Sequence, residues 1–248
     1  MEGKPGESTR QRARRERRWA FSLLVLILIL DLATLVLGFE AAKVAGGSLL
    51  AIIFVLVLWI VADKVMNRVD SHIANARRAD KGAQAEERVA KILSGRSSSE
   101  FFVISDVAFP YGNIDHVVIS RSGGVFAIET KSARGRVDSR GDILLLDGAR
   151  MERDSIQQAL REAIWVKERI GDVLGQRPYV RAVVLFTQAF VNVRERIRDV
   201  DIASLRFLDR VLTTLPSAAS QSESLWRNRE AVAAALTHSQ SHPNRRAA

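Results

Sequence analysis

The chain of 248 residues carries 37 Lys and Arg against 28 Asp and Glu, a formal net charge of +9, 47% hydrophobic residues and no cysteine. The missing cysteines exclude a disulfide framework, a zinc ribbon, a thiolate nucleophile and an iron–sulfur cluster, and four histidines leave little for a histidine-rich metal site. The charge is unevenly spread, with +4 in residues 1–18, −1 in 19–66 and +6 in 67–248.

Residues 19–37 (WAFSLLVLILILDLATLVL) form an apolar run of 19 residues with one charge. As a helix rising about 1.5 Å per residue, the run covers roughly the 30 Å hydrocarbon layer of a bilayer. A second apolar run, residues 48–62, follows the connection GFEAAKVAGG. It reaches spanning length once Gly46, Gly47 and residues 63–66 are drawn in, with Lys64 snorkelling to the interface. The expectation is a transmembrane helical hairpin over residues 19–66. A cleavable signal peptide fits less well, because the first stretch exceeds a signal h-region and a second follows it directly.

Six arginines in residues 10–18 precede the first span, and Lys64, Arg68, Arg77 and Arg78 follow the second, while the connection offers only Lys43 against Glu40. The positive-inside rule then places both termini and the main domain in the cytoplasm of a multi-pass inner-membrane protein, with residues 38–47 as a short external turn and Trp19 and Trp59 near the interfaces. Asp31 is the one ionisable residue well inside a span. A carboxylate there serves ion or proton movement, or stays neutral or paired, and two helices alone enclose no pathway.

Residues 67–80 read as a helical linker, with Val65, Val69, Ile73 and Ala76 at helical spacing. Gly82 opens a second helical stretch whose apolar face is Ala85, Val89, Ile92 and Leu93, ending at Gly95 and the loop RSSSE. The period then becomes strand-like. Residues 101–107, 114–120 and 124–131 are β-branched and aromatic, and are separated by Pro110-Tyr111-Gly112-Asn113 and Arg121-Ser122-Gly123-Gly124, which predicts an antiparallel meander. Residues 135–137 and 142–148 suggest a weaker hairpin about Ser139-Arg140-Gly141. A long amphipathic helix over 151–172 and the apolar run 179–187, of the kind a strand buried on both faces shows, complete an α/β sandwich. Further helices are expected at 203–215 and 224–236, and disorder in the tail SQSHPNRRAA. The resulting organisation is a basic N-terminus (1–18), two spans (19–66), a linker (67–80), a main domain (81–215) and a C-terminal helix and tail (216–248).

Glu129-Thr130-Lys131 places a carboxylate and an ammonium side by side, because strand residues two apart project from one face. If the loop is Ser122-Gly123-Gly124, Arg121 faces Val125, Asp115 lies opposite Lys131 and Val117 opposite Glu129, and all three polar groups share a face. A two-residue turn would move Asp115 to the other face. Two carboxylates converging at a sheet end suit Mg²⁺, which takes oxygen ligands from one or two carboxylates plus water and phosphate. A nearby lysine stabilises phosphorane-like charge or positions the attacking water. The bland alternative is a solvent-facing strand pair, with Asp115 at a strand start and Glu86 on a helix surface.

The succession Gly82-Ala83-Gln84-Ala85-Glu86 with Val89, then Gly112-Asn113-Ile114-Asp115-His116-Val117-Val118, then Gly124 to Lys131 and Gly135 resembles the nuclease-related domain (NERD) family, assigned to the PD-(D/E)xK restriction-endonuclease-like superfamily. The resemblance covers about residues 80–190. It implies a restriction-endonuclease-like mixed sheet flanked by helices, with Mg²⁺ or Mn²⁺ as cofactor. It also implies metal ligands at Asp115, Glu129 and Glu86, a catalytic Lys131 and an orienting Gln158 on the crossover helix. Three positions depart from the family pattern: Ala85 in place of Gly, Ser132-Ala133-Arg134 in place of an aromatic residue, and Asp154-Ser155 in place of Asn-Pro. None removes a metal ligand.

His116 adjoins Asp115 but points to the opposite face in this register, which gives it a structural role. Arg134, Arg136 and Arg140 are placed to contact phosphates or to form a solvated basic hairpin, and Arg194, Arg196 and Arg198 alternate with acids as a mixed surface. The leading expectation is a membrane-anchored, metal-dependent nuclease acting on DNA or RNA. Its rivals are a catalytically silent module that binds nucleic acid or protein, and a small membrane channel built on Asp31.

Overall fold

The computed structural model describes residues 4–45, 49–95, 99–121, 124–213 and 219–238, with the side chains of 37–45, 49–52, 54 and 219–222 left undescribed. The expected loop centre Ser122-Gly123 and the C-terminal tail lie outside the described residues. Two compact units result, one of Thr9–Asp80 and one of the described residues of Met1–Ser8 and Lys81–Ala248.

The first unit is helical. Helix α1 (Glu7–Ala45) and helix α2 (Leu49–Ser94) run antiparallel, with Ala20 and Ile27 packed on Val69 among Leu23, Val65 and Ile73. His72 Nδ1 lies 2.6 Å from a Glu16 carboxylate oxygen, and Arg17 pairs with Asp80. Trp19, Phe21, Leu28, Leu32 and Leu35 of α1, and Ile53, Val55, Leu56 and Trp59 of α2, remain exposed.

Two expectations change here. Residues 38–45 continue α1 instead of forming a turn, because Glu, Ala and Lys in that stretch are good helix formers. Gly82 does not interrupt α2, which runs unbroken for 46 residues; one glycine in a helix interior costs only about 1 kcal/mol relative to alanine. Among the described residues one helix, over Glu7–Val36, is long and apolar enough to cross a membrane by length and composition. This covers the first of the two expected spans; the second run falls partly on residues 46–48 and on side chains outside the described residues.

The second unit is a mixed sheet between two helical layers. Its strands are β1 (Phe101–Phe109), β2 (Gly112–Ser120), β3 (Gly124–Arg140), β4 (Ile143–Leu146), β5 (Ala149–Arg150), β6 (Val180–Val191) and β7 (Val200–Ser204). β1, β2 and β3 pair antiparallel, β6 joins β3 in parallel, and β7 joins β6 in parallel. The far end of β3 carries the β4–β5 hairpin. Helix α3 (Ser155–Leu174) is the crossover between the antiparallel strands and β6. It packs with α5 (Ala219–Arg227) and α6 (Arg229–His238) on one face, through Ile156, Ala163, Leu225 and Val232. The last turns of α2 and helix α4 (Leu208–Thr213) cover the other, through Val89, Leu93, Leu208 and Leu212 against Phe126 and Ile128. β6 is buried on both faces from Val180 to Phe186, which accounts for its unbroken apolar run.

The helix expected over 203–215 begins later: residues 203 and 204 end strand β7, and a 3₁₀ turn (Leu205–Phe207) precedes α4. The segment Val-Asp-Ile-Ala-Ser is too short to declare its period, and pairing with the exposed edge of β6 decides it. The helix expected at 224–236 is broken into α5 and α6 at Asn228.

The sheet edge also holds the start of the chain. Asp106 has a left-handed φ of 56°, and its carboxylate accepts hydrogen bonds from Ser8 N–H at 2.8 Å, Ser8 Oγ at 2.6 Å and Asn113 Nδ2 at 2.7 Å. Gly6, at φ 72°, approaches Ala83 so closely that a Cβ would stand 3.1 Å from its Cα.

Candidate active site

The β2–β3 register places Asp115. Ser120 faces Gly124, Val117 faces Ala127 and His116 faces Ile128, where the ladder ends. The expected pairing of Arg121 with Val125 is therefore off by two residues, so Asp115 falls level with Glu129 and not with Lys131. A slip of two preserves the face, where a slip of one would have inverted it. Beyond the last rung the strands part, and Asp115 Oδ2 accepts the Thr130 backbone N–H at 2.6 Å. The carboxylate thus replaces the strand carbonyl that the ladder no longer supplies.

Glu129 and Lys131 share a face of β3, and Lys131 Nζ donates to Glu129 Oε1 at 2.6 Å and to Gln158 Oε1 at 3.3 Å. Gln158 Nε2 in turn donates to Glu162 Oε1 at 2.9 Å. Immediately after Lys131 the β3–β6 register shifts, two β3 residues opposing one on β6. Such a bulge re-aims side chains beside a site, and it contains the Ser132-Ala133 departure. Arg134 then bonds Gln188.

Helix α3 is fixed at its start by Asp154, whose side chain accepts the Gln157 N–H at 2.9 Å, and at its end by Gly175 in the left-handed conformation. The Asp154-Ser155 pair is a helix cap followed by the first helical residue. With that start, Gln158 and Glu162 lie one turn apart on the face turned to β3.

The electrostatics are those of crowded carboxylates. Burial, then the charges of Glu129 and Glu86, push Asp115 well above the ordinary carboxylate range, against the lowering effect of the Thr130 amide. Burial and the Glu129 charge push Glu162 up to about 9. Glu86 and Glu129 are themselves buried, and the Glu162 carboxyl meets that of Glu129 in a hydrogen bond that favours its protonated form. Like charges this close are relieved by protons or by a cation.

Among the described residues no three His, Cys, Asp or Glu side chains converge as a ready metal cage. Mg²⁺ requires only one or two carboxylates, with water and phosphate completing its shell. Buried carboxyl groups that suppress one another's ionisation are oxygen ligands of the kind such a cation takes.

His116 lies on the other face. It is fully buried, Nδ1 stands 3.0 Å from Ser105 Oγ, and Nε2 faces the Glu86 backbone without a well-formed hydrogen bond. Burial lowers its pKa to about 4, so it is a neutral packing residue beneath α2. Asp31 lies exposed on α1. Sequence reading missed Glu162. Its signal was a charge inside the buried stripe Ala159, Ala163 and Val166, four residues after Gln158.

Asp115, Glu129 and Lys131 thus stand on diverging strands of a mixed sheet, faced by a crossover helix bearing Gln158. Residues 81–187 match the family model NERD, the nuclease-related domain, which supports the family resemblance and a nuclease-related function. Comparison with curated proteins gives no match, and neither does comparison with solved structures.

Proposed function

We propose that the domain is a divalent-metal-dependent phosphodiesterase that hydrolyses DNA or RNA. The observation that carries this reading is the chain of contacts Glu129–Lys131–Gln158 set level with Asp115. Asp115 and Glu129, with Glu86 beside them, would hold Mg²⁺ or Mn²⁺, which when bound supplies positive charge to the phosphate and a more acidic water. Lys131, oriented by Gln158, places an ammonium where charge develops on the phosphoryl oxygens. Glu162 holds the Gln158 amide in the orientation that presents Oε1 to Lys131. His116 packs the sheet without exchanging protons near neutrality.

The apolar surface of α1, exposed along Phe21, Leu28, Leu32 and Leu35, supports anchoring in a membrane. Six arginines in residues 10–18 support a cytoplasmic N-terminus, and a second span at residues 48–66 would keep the domain on that side. A second reading is a catalytically silent binding module, favoured by one observation: Lys131 already neutralises Glu129 without a metal.

The test is cleavage of labelled DNA and RNA by the full-length chain in detergent, with and without Mg²⁺ or Mn²⁺. Metal-dependent cleavage lost in Glu129→Gln and Lys131→Ala is expected. Binding without cleavage by folded, metal-supplied protein would select the silent module.

A further inference from the structure

The β1–β2 turn presents an aromatic ring, Tyr111, four residues before Asp115. Tyr111 is 76% exposed, yet it is held in place. Its ring stands edge-on to Phe109, with centroids 5.9 Å apart at 71°, and Phe109 leans on Trp165 of α3 at 6.0 Å. The Arg161 guanidinium lies 5.7 Å from the Tyr111 centroid. Arg161 comes from the turn of α3 that supplies Gln158 and Glu162, since residues three and four apart neighbour one another on a helix. Tyr111 precedes Asp115 by four residues on the same hairpin. The ring and the cation therefore stand on the segments that carry the acidic and orienting groups of the site.

The core uses neither side chain. The Tyr111 ring belongs to no buried cluster, and no acidic partner of Arg161 is found among the described residues. A ring left in water with a guanidinium beside it matches a planar, π-faced, anionic ligand: the base stacks on the aromatic and the phosphate meets the cation. In a duplex both faces of a base are covered by its neighbours, so an exposed ring engages only a base that is unpaired or flipped out.

We propose that Tyr111 and Arg161 bind an unpaired base and its phosphate next to the Asp115–Glu129–Lys131 cluster, which makes single-stranded or frayed nucleic acid the substrate class. The inference rests on the nuclease reading. Both chemistries, DNA and RNA, present the same base face and phosphate.

The test uses the full-length chain in detergent carrying Lys131→Ala to block cleavage, and measures binding of single-stranded and duplex DNA and RNA of one sequence. Adding Tyr111→Ala weakens single-strand binding about tenfold, the range of one base–aromatic stack, while duplex binding stays within about twofold. Tyr111→Phe retains single-strand affinity, and Arg161→Ala loses part of it. A 2-aminopurine in the single strand is quenched on binding by the parent and by Tyr111→Phe, and stays bright with Tyr111→Ala. Equal single-strand binding by Tyr111→Ala and parent, or equal weakening of single strand and duplex, overturns the proposal while leaving the nuclease reading in place. Failure of the parent and of the wild-type chain to bind any of the four nucleic acids overturns the nuclease reading and this inference together.

Discussion

The Asp115 carboxylate takes the Thr130 amide hydrogen at 2.6 Å, one residue beyond the last rung that β2 and β3 share. One side chain therefore closes the end of a sheet ladder and stands level with Glu129, which couples the splay of the strands to the chemistry of the site.

Asp115→Asn and Asp115→Ala should separate those two jobs. Asparagine keeps an oxygen for the Thr130 N–H, so Asp115→Asn is expected to fold like the parent and to lose metal-dependent cleavage by about 100-fold or more, the scale of removing one electrostatic stabiliser. Asp115→Ala also leaves the amide unpaired and should lower stability by about 1–3 kcal/mol. Thermal melts alongside kcat/KM distinguish the two, and equal activity of the Asp115→Asn variant and the parent would remove Asp115 from the site.

Glu162 should make metal-free stability fall with rising pH. Its folded pKa is raised to about 9 from 4.5, so between those values the folded chain holds a proton that the unfolded chain has released, and stability declines as pH rises through that window. Glu162→Gln keeps the oxygen that accepts from Gln158 and should melt a few degrees higher than the parent at pH 8, with little difference at pH 4.5. Melting curves in EDTA across that range provide the check.

Cation binding at pH 7 should release protons, because Asp115 and Glu162 are both held toward their neutral forms without it. Titration calorimetry with Mg²⁺ or Mn²⁺ in buffers of different ionisation enthalpy reads the number released. Buffer-independent heats would mean that the bound ion does not meet these acids.

His116 should contribute to acid lability. Its folded pKa of about 4 lies below the ordinary 6.5, so as pH falls from 6.5 to 4 the unfolded chain takes up a proton that the folded chain refuses. The loss is about 3 kcal/mol across the window, by linkage, and is absent above it. Replacement by asparagine should flatten the slope of stability against pH in that range.

Asp201→Asn should be among the more damaging single changes on the β6–β7 edge. Arg181 is nearly buried and meets Asp201 through two hydrogen bonds at 2.8 and 2.9 Å. Removing the Asp201 charge leaves Arg181 with the Val211 carbonyl and the Phe126 ring but without its carboxylate, a loss of about 3 kcal/mol, the low end for a broken buried pair. Denaturant unfolding of Asp201→Asn beside the double variant Arg181→Met/Asp201→Leu tests this, the double variant being the more stable of the two.

Much of the sheet was legible because its strands are β-branched and bounded by Gly, Pro and Asn. Glu129 and Lys131 were legible because alternation along a strand is strict. The β2–β3 register was not, since it depends on which three residues form the turn, and Arg121-Ser122-Gly123 and Ser122-Gly123-Gly124 offer equivalent glycines. Glu162 was hidden for a different reason: a helix-face charge signals function only when the face is known to be buried. β7 was missed because five residues beside a helical pattern carry too little period, and Tyr111 because a turn tyrosine acquires meaning only from what lies beside it in space.

The Ser8–Asp106 contact joins residues 98 apart in sequence. The first described residues of the chain are thus synthesised long before the strand that receives them, and the domain is discontinuous, with the whole helical unit inserted between its pieces. A fragment begun at Lys81 would leave Asp106, in its left-handed conformation, with Asn113 but without Ser8. Severing the helices is therefore also an edit to the sheet edge, and a soluble version of the domain is better made by joining residue 8 to residue 81 than by discarding everything before it.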